Sequence, residues 1–203
     1  MKSTLLLLFF SFFNHFNPPS NLGCSEWARY TQKGDCHVYM RQCSDLPIKE
    51  FKVLDRFYAD LDKIIKVMED VNTTRRISET CTEARIIKTL NANEVVQYFY
   101  LDMPMTITDR DILTKNISYQ TPTSFKSVSE VYNDPSVPER KGTIRMKNAR
   151  SSFYFEKQKD GFIKMEYTAR ADPEGLVPAW FVNLLAGKEA IKMTEKLKKL
   201  FNE

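Results

Sequence analysis

The residue types that most often do chemistry are scarce in this chain. Two histidines occur in 203 residues, and His15 falls in an N-terminal targeting segment, so His37 stands alone in a strand-like run. One imidazole cannot build a multi-histidine metal site, and a serine–histidine–aspartate triad would have to use His37 itself. No G-x-S-x-G, C-x-x-C or glycine-rich phosphate loop is present, and six glycines supply few backbone cradles for phosphate. Carboxylates are abundant, but no spacing singles out a general acid–base pair. What remains is binding chemistry. Arg110 sits between Asp109 and Asp111 in an extended run flanked by Ile107 and Ile112. A guanidinium buried there needs a carboxylate partner or the polar head of a ligand. The sequence predicts a protein that is not an enzyme and needs no cofactor.

The elements that would position such residues follow from hydrophobic patterning. Trp27 to Gln32 reads as the start of a short helix, Lys33-Gly34-Asp35 as a turn, and Cys36 to Arg41 as a strand. A second strand at Ile48 to Phe57 precedes a helix over Leu61 to Val71, where Leu61, Ile64, Ile65 and Met68 recur at helical spacing. A further short helix is expected near Thr74 to Cys81. Strands then follow one another: Ala84–Leu90, Glu94–Asp102, Asp109–Gln120, Ser124–Asn133, Gly142–Lys147, Phe153–Lys157 and Phe162–Arg170. Short strands in succession joined by tight turns argue for an antiparallel sheet and against βαβ units.

The chain ends in the turn Asp172-Pro173-Glu174-Gly175 and a long helix opened by Pro178. From Leu176 to Ala186 that helix is apolar almost all round, which predicts burial on every side. From Lys188 it is amphipathic, with Ile191, Thr194, Leu197 and Phe201 on one stripe. About 24 helical residues span about 36 Å, the width of a small domain. The fold class is α+β: one domain in which a curved sheet grips the C-terminal helix.

Met1-Lys2-Ser3 followed by the ten apolar residues Thr4 to Phe13 reads as a signal peptide, too short to span a bilayer. Small residues at Gly23 and Ser25 predict a cut after Ser25, giving a signal peptide over 1–25, a domain over 26–203, and a secreted or periplasmic protein. A lipoprotein reading at Cys24 is opposed by Asn21, where a leucine is normally wanted. Cys36, Cys43 and Cys81 would then remain, with either a Cys36–Cys43 disulfide or separate buried thiols. Asn72-Thr73-Thr74 and Asn116-Ile117-Ser118 match the glycosylation sequon. The net charge of +4 is mild, and Lys192, Lys196, Lys198 and Lys199 read as a solvated helix face with no nucleic-acid motif beside it.

Several stretches, in order, resemble the START (steroidogenic-acute-regulatory-related lipid-transfer) domain family. Val95 to Leu113, VVQYFYLDMPMTITDRDIL, is similar to the family's strand, proline-containing turn and Arg-Asp-hydrophobic run. Tyr167 to Asn183, YTARADPEGLVPAWFVN, is similar to its Tyr, Asp-Pro-Gly-Gly, Pro-Ala-Trp and Val-Asn series. Arg76 to Ile87, with Cys81 and Glu83, and the opening from Gly34 to Phe51 match more weakly, so that residues 27 to 203 are covered. Ile77 replaces the family's usual Trp, and Glu174 replaces the first Gly of Asp-Pro-Gly-Gly.

The resemblance implies a helix-grip fold around an internal apolar cavity that holds one lipid or sterol, with the C-terminal helix as its lid. It makes Arg110 the foremost ligand-binding residue, with structural ion pairing as the alternative. Asp102 and Arg145 are further candidates of the same kind, and Tyr98, Tyr100, Tyr154 and Tyr167 can offer hydroxyls. Trp180 and Phe181 either line the cavity mouth, touch a membrane, or pack on the sheet. The implied partners are a lipid or sterol-like molecule and, transiently, a membrane, with no nucleic acid and a monomeric protein. The alternatives are a helix-grip cyclase or hydrolase acting on an apolar substrate, and an interaction protein with a filled core.

Overall fold

The computed structural model describes residues 23–104 and 106–203. The leader read from Met1 onward therefore lies outside the described residues, apart from Gly23, Cys24 and Ser25. Ten strands and three helices follow in the order β1 (Ala28–Lys33), β2 (Cys36–Arg41), β3 (Glu50–Phe57), α1 (Leu61–Glu69), α2 (Thr73–Ile77), β4 (Cys81–Asn91), β5 (Glu94–Leu101), β6 (Arg110–Thr121), β7 (Ser124–Val131), β8 (Ile144–Arg145), β9 (Asn148–Lys157), β10 (Ile163–Asp172) and α3 (Ala179–Phe201). They form one curved sheet in the order β1-β2-β3-β10-β9-β7-β6-β5-β4, antiparallel except that β8 runs parallel to the start of β6. This is the expected α+β helix-grip architecture.

Local chemistry sets most of the boundaries. Asp60 caps α1 by accepting the Asp62 N–H at 2.9 Å. The β4–β5 hairpin turns at Ala92-Asn93, where Asn91 accepts the Asn93 N–H at 2.9 Å. Gly34 and Gly161 supply the left-handed backbone for the β1–β2 and β9–β10 turns, with φ of 57° and 85°. One element differs in kind from expectation. Ala28–Lys33 is an edge strand, not a helix, because pairing with β2 overrides a local composition that suits a helix.

Unbroken registers from β5 through β6, β7, β9, β10, β3 and β2 fix the two faces of the sheet. One face carries Val38, Val53, Phe125, Phe155 and Met165, which pack with Ala190, Leu197 and Phe201 of α3 as the main core. Phe201 is the helix's anchor, stacked 5.8 Å from Phe57 and edge-on 5.7 Å from Phe155. On the outer face a smaller cluster of Val96, Tyr98 and Leu113 lies beneath Tyr132 and Val137.

The helix departs from expectation at its apolar end. Its buried residues are Gly187, Ala190, Thr194, Leu197, Leu200 and Phe201, all in the C-terminal two-thirds. Leu176 is fully exposed, Trp180 is 67% exposed, and Leu184 and Leu185 are also exposed. The prediction of all-round burial therefore fails, because α3 packs on β1–β3, α1 and α2 through its later turns. Among the described residues no helix is long and apolar enough to cross a membrane.

The cysteines pair differently from either expectation. Cys24 and Cys43 form a disulfide, flanked by the Ser25 N–H to Gln42 carbonyl bond at 2.8 Å, while Cys36 and Cys81 are buried free thiols. Cys36 opens β2 and Cys43 lies two residues beyond its end, so the extended strand between them holds the two thiols far beyond disulfide reach. A cut after Ser25 would discard Cys24 and leave Cys43 without its partner.

Candidate functional site

Alternation along β6 scatters the Asp109-Arg110-Asp111 cluster. Asp111 points to the outer face, where Arg145 grips it bidentately at 2.7 and 2.9 Å and the Tyr98 hydroxyl donates to it at 3.2 Å. Asp109 accepts from the Tyr100 hydroxyl and from the Met103 N–H at 3.0 Å, and these bonds hold its carboxyl below the usual carboxylate range. Arg140 lies over the Tyr100 ring at 4.0 Å. Tyr98, Tyr100 and Arg145, expected to meet a ligand inside the fold, are thus on the face turned away from the helix, as is Tyr154. A concavity of about 530 Å³ lies on this side too, walled by the Val131–Glu139 segment and by Arg145 to Lys147. Asp102 is exposed just beyond β5.

Arg110 points to the helix side and is 2% exposed, but backbone takes up its guanidinium. Its Nε–H donates to the Pro173 carbonyl and Nη2 to the Glu174 carbonyl, both at 2.9 Å, and Nη1 donates to Thr108. Arg110 therefore pins the turn that launches α3. That turn does not take the type I form. Glu174 and Gly175 both have positive φ, 58° and 69°, and Asp172 accepts the Glu174 N–H at 2.8 Å.

The helix-side face from β5 across to β3 has two chemical zones. Phe51, Phe153 and Tyr167 form an aromatic floor, with Tyr167 stacked 4.0 Å from Phe153 and edge-on 5.4 Å from Phe51. Burial pushes the Tyr167 hydroxyl above its ordinary pKa, yet the side chain is only half-buried by surface. Beside the floor runs a polar zone that sequence reasoning missed: Gln97, Thr114, Asn116, Ser127 and Ser129. Asn116 donates to Ser127 and Ser129, both at 2.9 Å. Polar residues at alternate strand positions read from sequence as a solvent face, and only the registers place them on the same face of the sheet as the core that packs against α3.

The remaining reactive groups are held quiet. Asp55 is buried and paired with Lys198 of α3 at 2.8 Å. Burial lifts the Cys36 thiol to about 11, with Asp55 adding to the shift, so it stays protonated at neutral pH. His37 lies on the outer face. Among the described residues no cluster of His, Cys, Asp and Glu could hold a metal. Trp180 and Phe181 pack edge-on at 5.8 Å, Phe181 half-buried and Trp180 turned to solvent instead of to the sheet. Lys192 and Lys196 approach Glu79 at 3.7 Å, so the lysine cluster is largely ion-paired.

Comparison with known proteins adds an independent observation. The START domain model matches residues 21–203. An uncharacterized protein of Pseudomonas aeruginosa is 22% identical over 83% of each chain. Human START domain-containing protein 10 is 22% identical over 89% of this chain and 58% of its own length. Among solved structures, a STAR-related lipid transfer protein fragment from Xanthomonas axonopodis superposes with a TM-score of 0.77 at 21% identity, covering 87% of this chain and 99% of that one. Human StAR-related lipid transfer protein 5 gives 0.78 at 15% identity, covering 87% and 86%.

Proposed function

The chain belongs to the START domain family, and from that premise we propose that it binds one lipid or sterol-like molecule between the helix-side face of the sheet and α3. The observation that carries the reading is Tyr167. Its phenol is shifted upward by burial deep in the molecule, yet part of its surface is left uncovered by protein. Phe51 and Phe153 beside it are half-buried as well, whereas Val53, Phe155 and Met165 on the same strands are fully covered. In a filled core these neighbours would be covered alike. Apolar ligand surface against this floor would contribute about 25 cal/mol per Å². The solved structures that this chain superposes on are lipid transfer proteins, which supports the same ligand class.

The role is carriage without catalysis. A cyclase or hydrolase needs a group poised to exchange a proton near neutral pH. Here Asp55 is ion-paired, and Cys36 and Tyr167 are shifted towards their neutral forms. The exposed Leu176, Trp180 and Leu184 at the start of α3 supply the surface that would rest on a membrane during exchange, the protein otherwise acting as a monomer. The apolar run Thr4 to Phe13 and the Cys24–Cys43 disulfide support export to a secreted or periplasmic location. If exported, the mature N-terminus lies before Cys24, not after Ser25.

Native mass spectrometry of protein purified from a lipid-containing host, followed by solvent extraction, tests the reading. One co-purifying lipid per chain is expected. Protein that emerges clean, and stays clean after incubation with sterols, phospholipids and fatty acids, would sink it.

A further inference from the structure

Resting on the space between the sheet and α3 as the lipid site, we propose that the Cys24–Cys43 disulfide is a redox-sensitive clamp on the apolar start of α3. Oxidised, it keeps the ligand in; reduced, it eases exchange. The first turns of α3 have little packing of their own. No residue of the helix before Gly187 is buried, and Trp180, Leu184 and Leu185 are exposed. Among the described residues, the hydrogen bonds that tie these turns to the rest of the chain come from Asn183 and Leu184 alone. Asn183 accepts the Lys49 N–H at 2.8 Å, and its amide nitrogen lies 3.5 Å from the Pro47 carbonyl. The Tyr30 hydroxyl lies 3.5 Å from the Leu184 carbonyl.

Both anchoring segments start from the disulfide. The chain leaving Cys24 enters β1 with Tyr30, and the chain leaving Cys43 becomes the loop that carries Pro47 and Lys49. That loop runs on into Phe51 of the aromatic floor, so its movement opens the site where α3 is least packed. Asp45 takes both arms of Arg170 at 2.6 and 2.7 Å, so the loop keeps one fastening without the disulfide and is loosened, not lost. Cys24 is half-buried between exposed Gly23 and Ser25, whereas Cys43 is 1% exposed, so an incoming thiolate reaches the Cys24 sulfur. The sulfur–sulfur bond breaks, Cys43 leaves as a thiolate and takes up a proton, and the second thiol of a dithiol reductant then displaces Cys24. The reductant ends as a disulfide, and the protein gains two electrons and two protons. Cys36 and Cys81 stay out of the exchange, since burial pushes both thiols up to about 11.

The test follows amide hydrogen exchange along α3 in the full-length protein, oxidised and after treatment with dithiothreitol. Reduction should speed exchange over residues 183–189 by roughly three- to tenfold, the loss of one or two hydrogen bonds. Residues 194–201, packed in the core, should not change, which separates local release from unfolding. The double variant Cys24→Ser/Cys43→Ser should match the reduced protein with or without the reductant. Asn183→Ala should loosen the same turns in the oxidised protein, with reduction adding little. Release of a bound fluorescent sterol or fluorescent fatty acid to empty vesicles should quicken with the helix. Exchange over residues 183–189 that fails to quicken, or that quickens equally along the whole helix, overturns the clamp. So does a loosened helix with an unchanged rate of release. Uptake of neither probe in either redox state overturns the carrier reading instead, and the exchange data, which need no ligand, still decide the clamp.

Discussion

Glu174 holds a left-handed backbone with φ of 58°, a conformation that costs a residue with a Cβ about 1–2 kcal/mol. Three neighbours keep it there: Asp172 accepts its N–H, Arg110 donates to its carbonyl, and Gly175 follows with the same sign of φ. Glu174→Gly relieves the strain but loosens the unfolded chain, so a net gain of about 0.5–1 kcal/mol is expected in denaturant titration. A loss would mean that the side chain has a role beyond occupying the turn. Asp134 carries a pH-dependent contribution of definite sign. Its salt bridge to Lys88 at 2.6 Å, helped by Ser136, lowers its carboxyl to about 2. A carboxylate depressed in the folded state adds stability above its unfolded pKa of about 3.9. That stability fades as pH falls through about 2. Asp134→Asn should thus be the less stable protein at pH 7, with the gap closing on acidification. A gap that stays constant with pH would remove the salt bridge as its cause.

At the scale of elements, α3 is held at both ends and crossed in the middle. Arg110 fixes the turn before it, Lys198 ties its last turns to Asp55, and the Tyr30 ring lies against Gly187. A Cβ at Gly187 would come within 2.1 Å of Tyr30, so the glycine is there to let β1 approach the helix. Gly187→Ala should therefore destabilise the wild type, yet stabilise a Tyr30→Ala background by up to about 1 kcal/mol through helix propensity. Equal effects in both backgrounds would deny the contact. These couplings also mark what the sequence could reveal. The strands from Ala84 onward and the last helix were legible, since period and turn chemistry are local. Ala28–Lys33 was not, because its partner β2 decides it. The site was legible only in part. Tyr98 and Tyr100 share a parity, but nothing local in VVQYFY says which face that parity serves, and a shift of one residue exchanges the faces. Arg110 was found as a buried cation, while two of its three acceptors, the Pro173 and Glu174 carbonyls, lie 63 and 64 residues away.

For the whole molecule, the exposed start of α3 is the feature that a self-contained globule would not keep. Leu176, Trp180 and Leu184 are apolar and exposed, and nothing in the later turns of the helix requires them to be. A carrier, however, must meet the bilayer that donates or accepts its lipid, and a tryptophan among exposed leucines is suited to the interface, where one side is apolar and the other wet. This separates rate from capacity. Leu176→Glu and Trp180→Glu touch neither Thr114 nor the Tyr167 floor, so the amount of lipid bound at equilibrium should stay near one per chain. Transfer of a fluorescent lipid between vesicles should slow by about tenfold or more, since seating each glutamate in the interface forfeits favourable apolar burial. If transfer proceeds at the wild-type rate, the exposed turns serve something other than a membrane. If occupancy falls with the rate, they form part of the binding site itself.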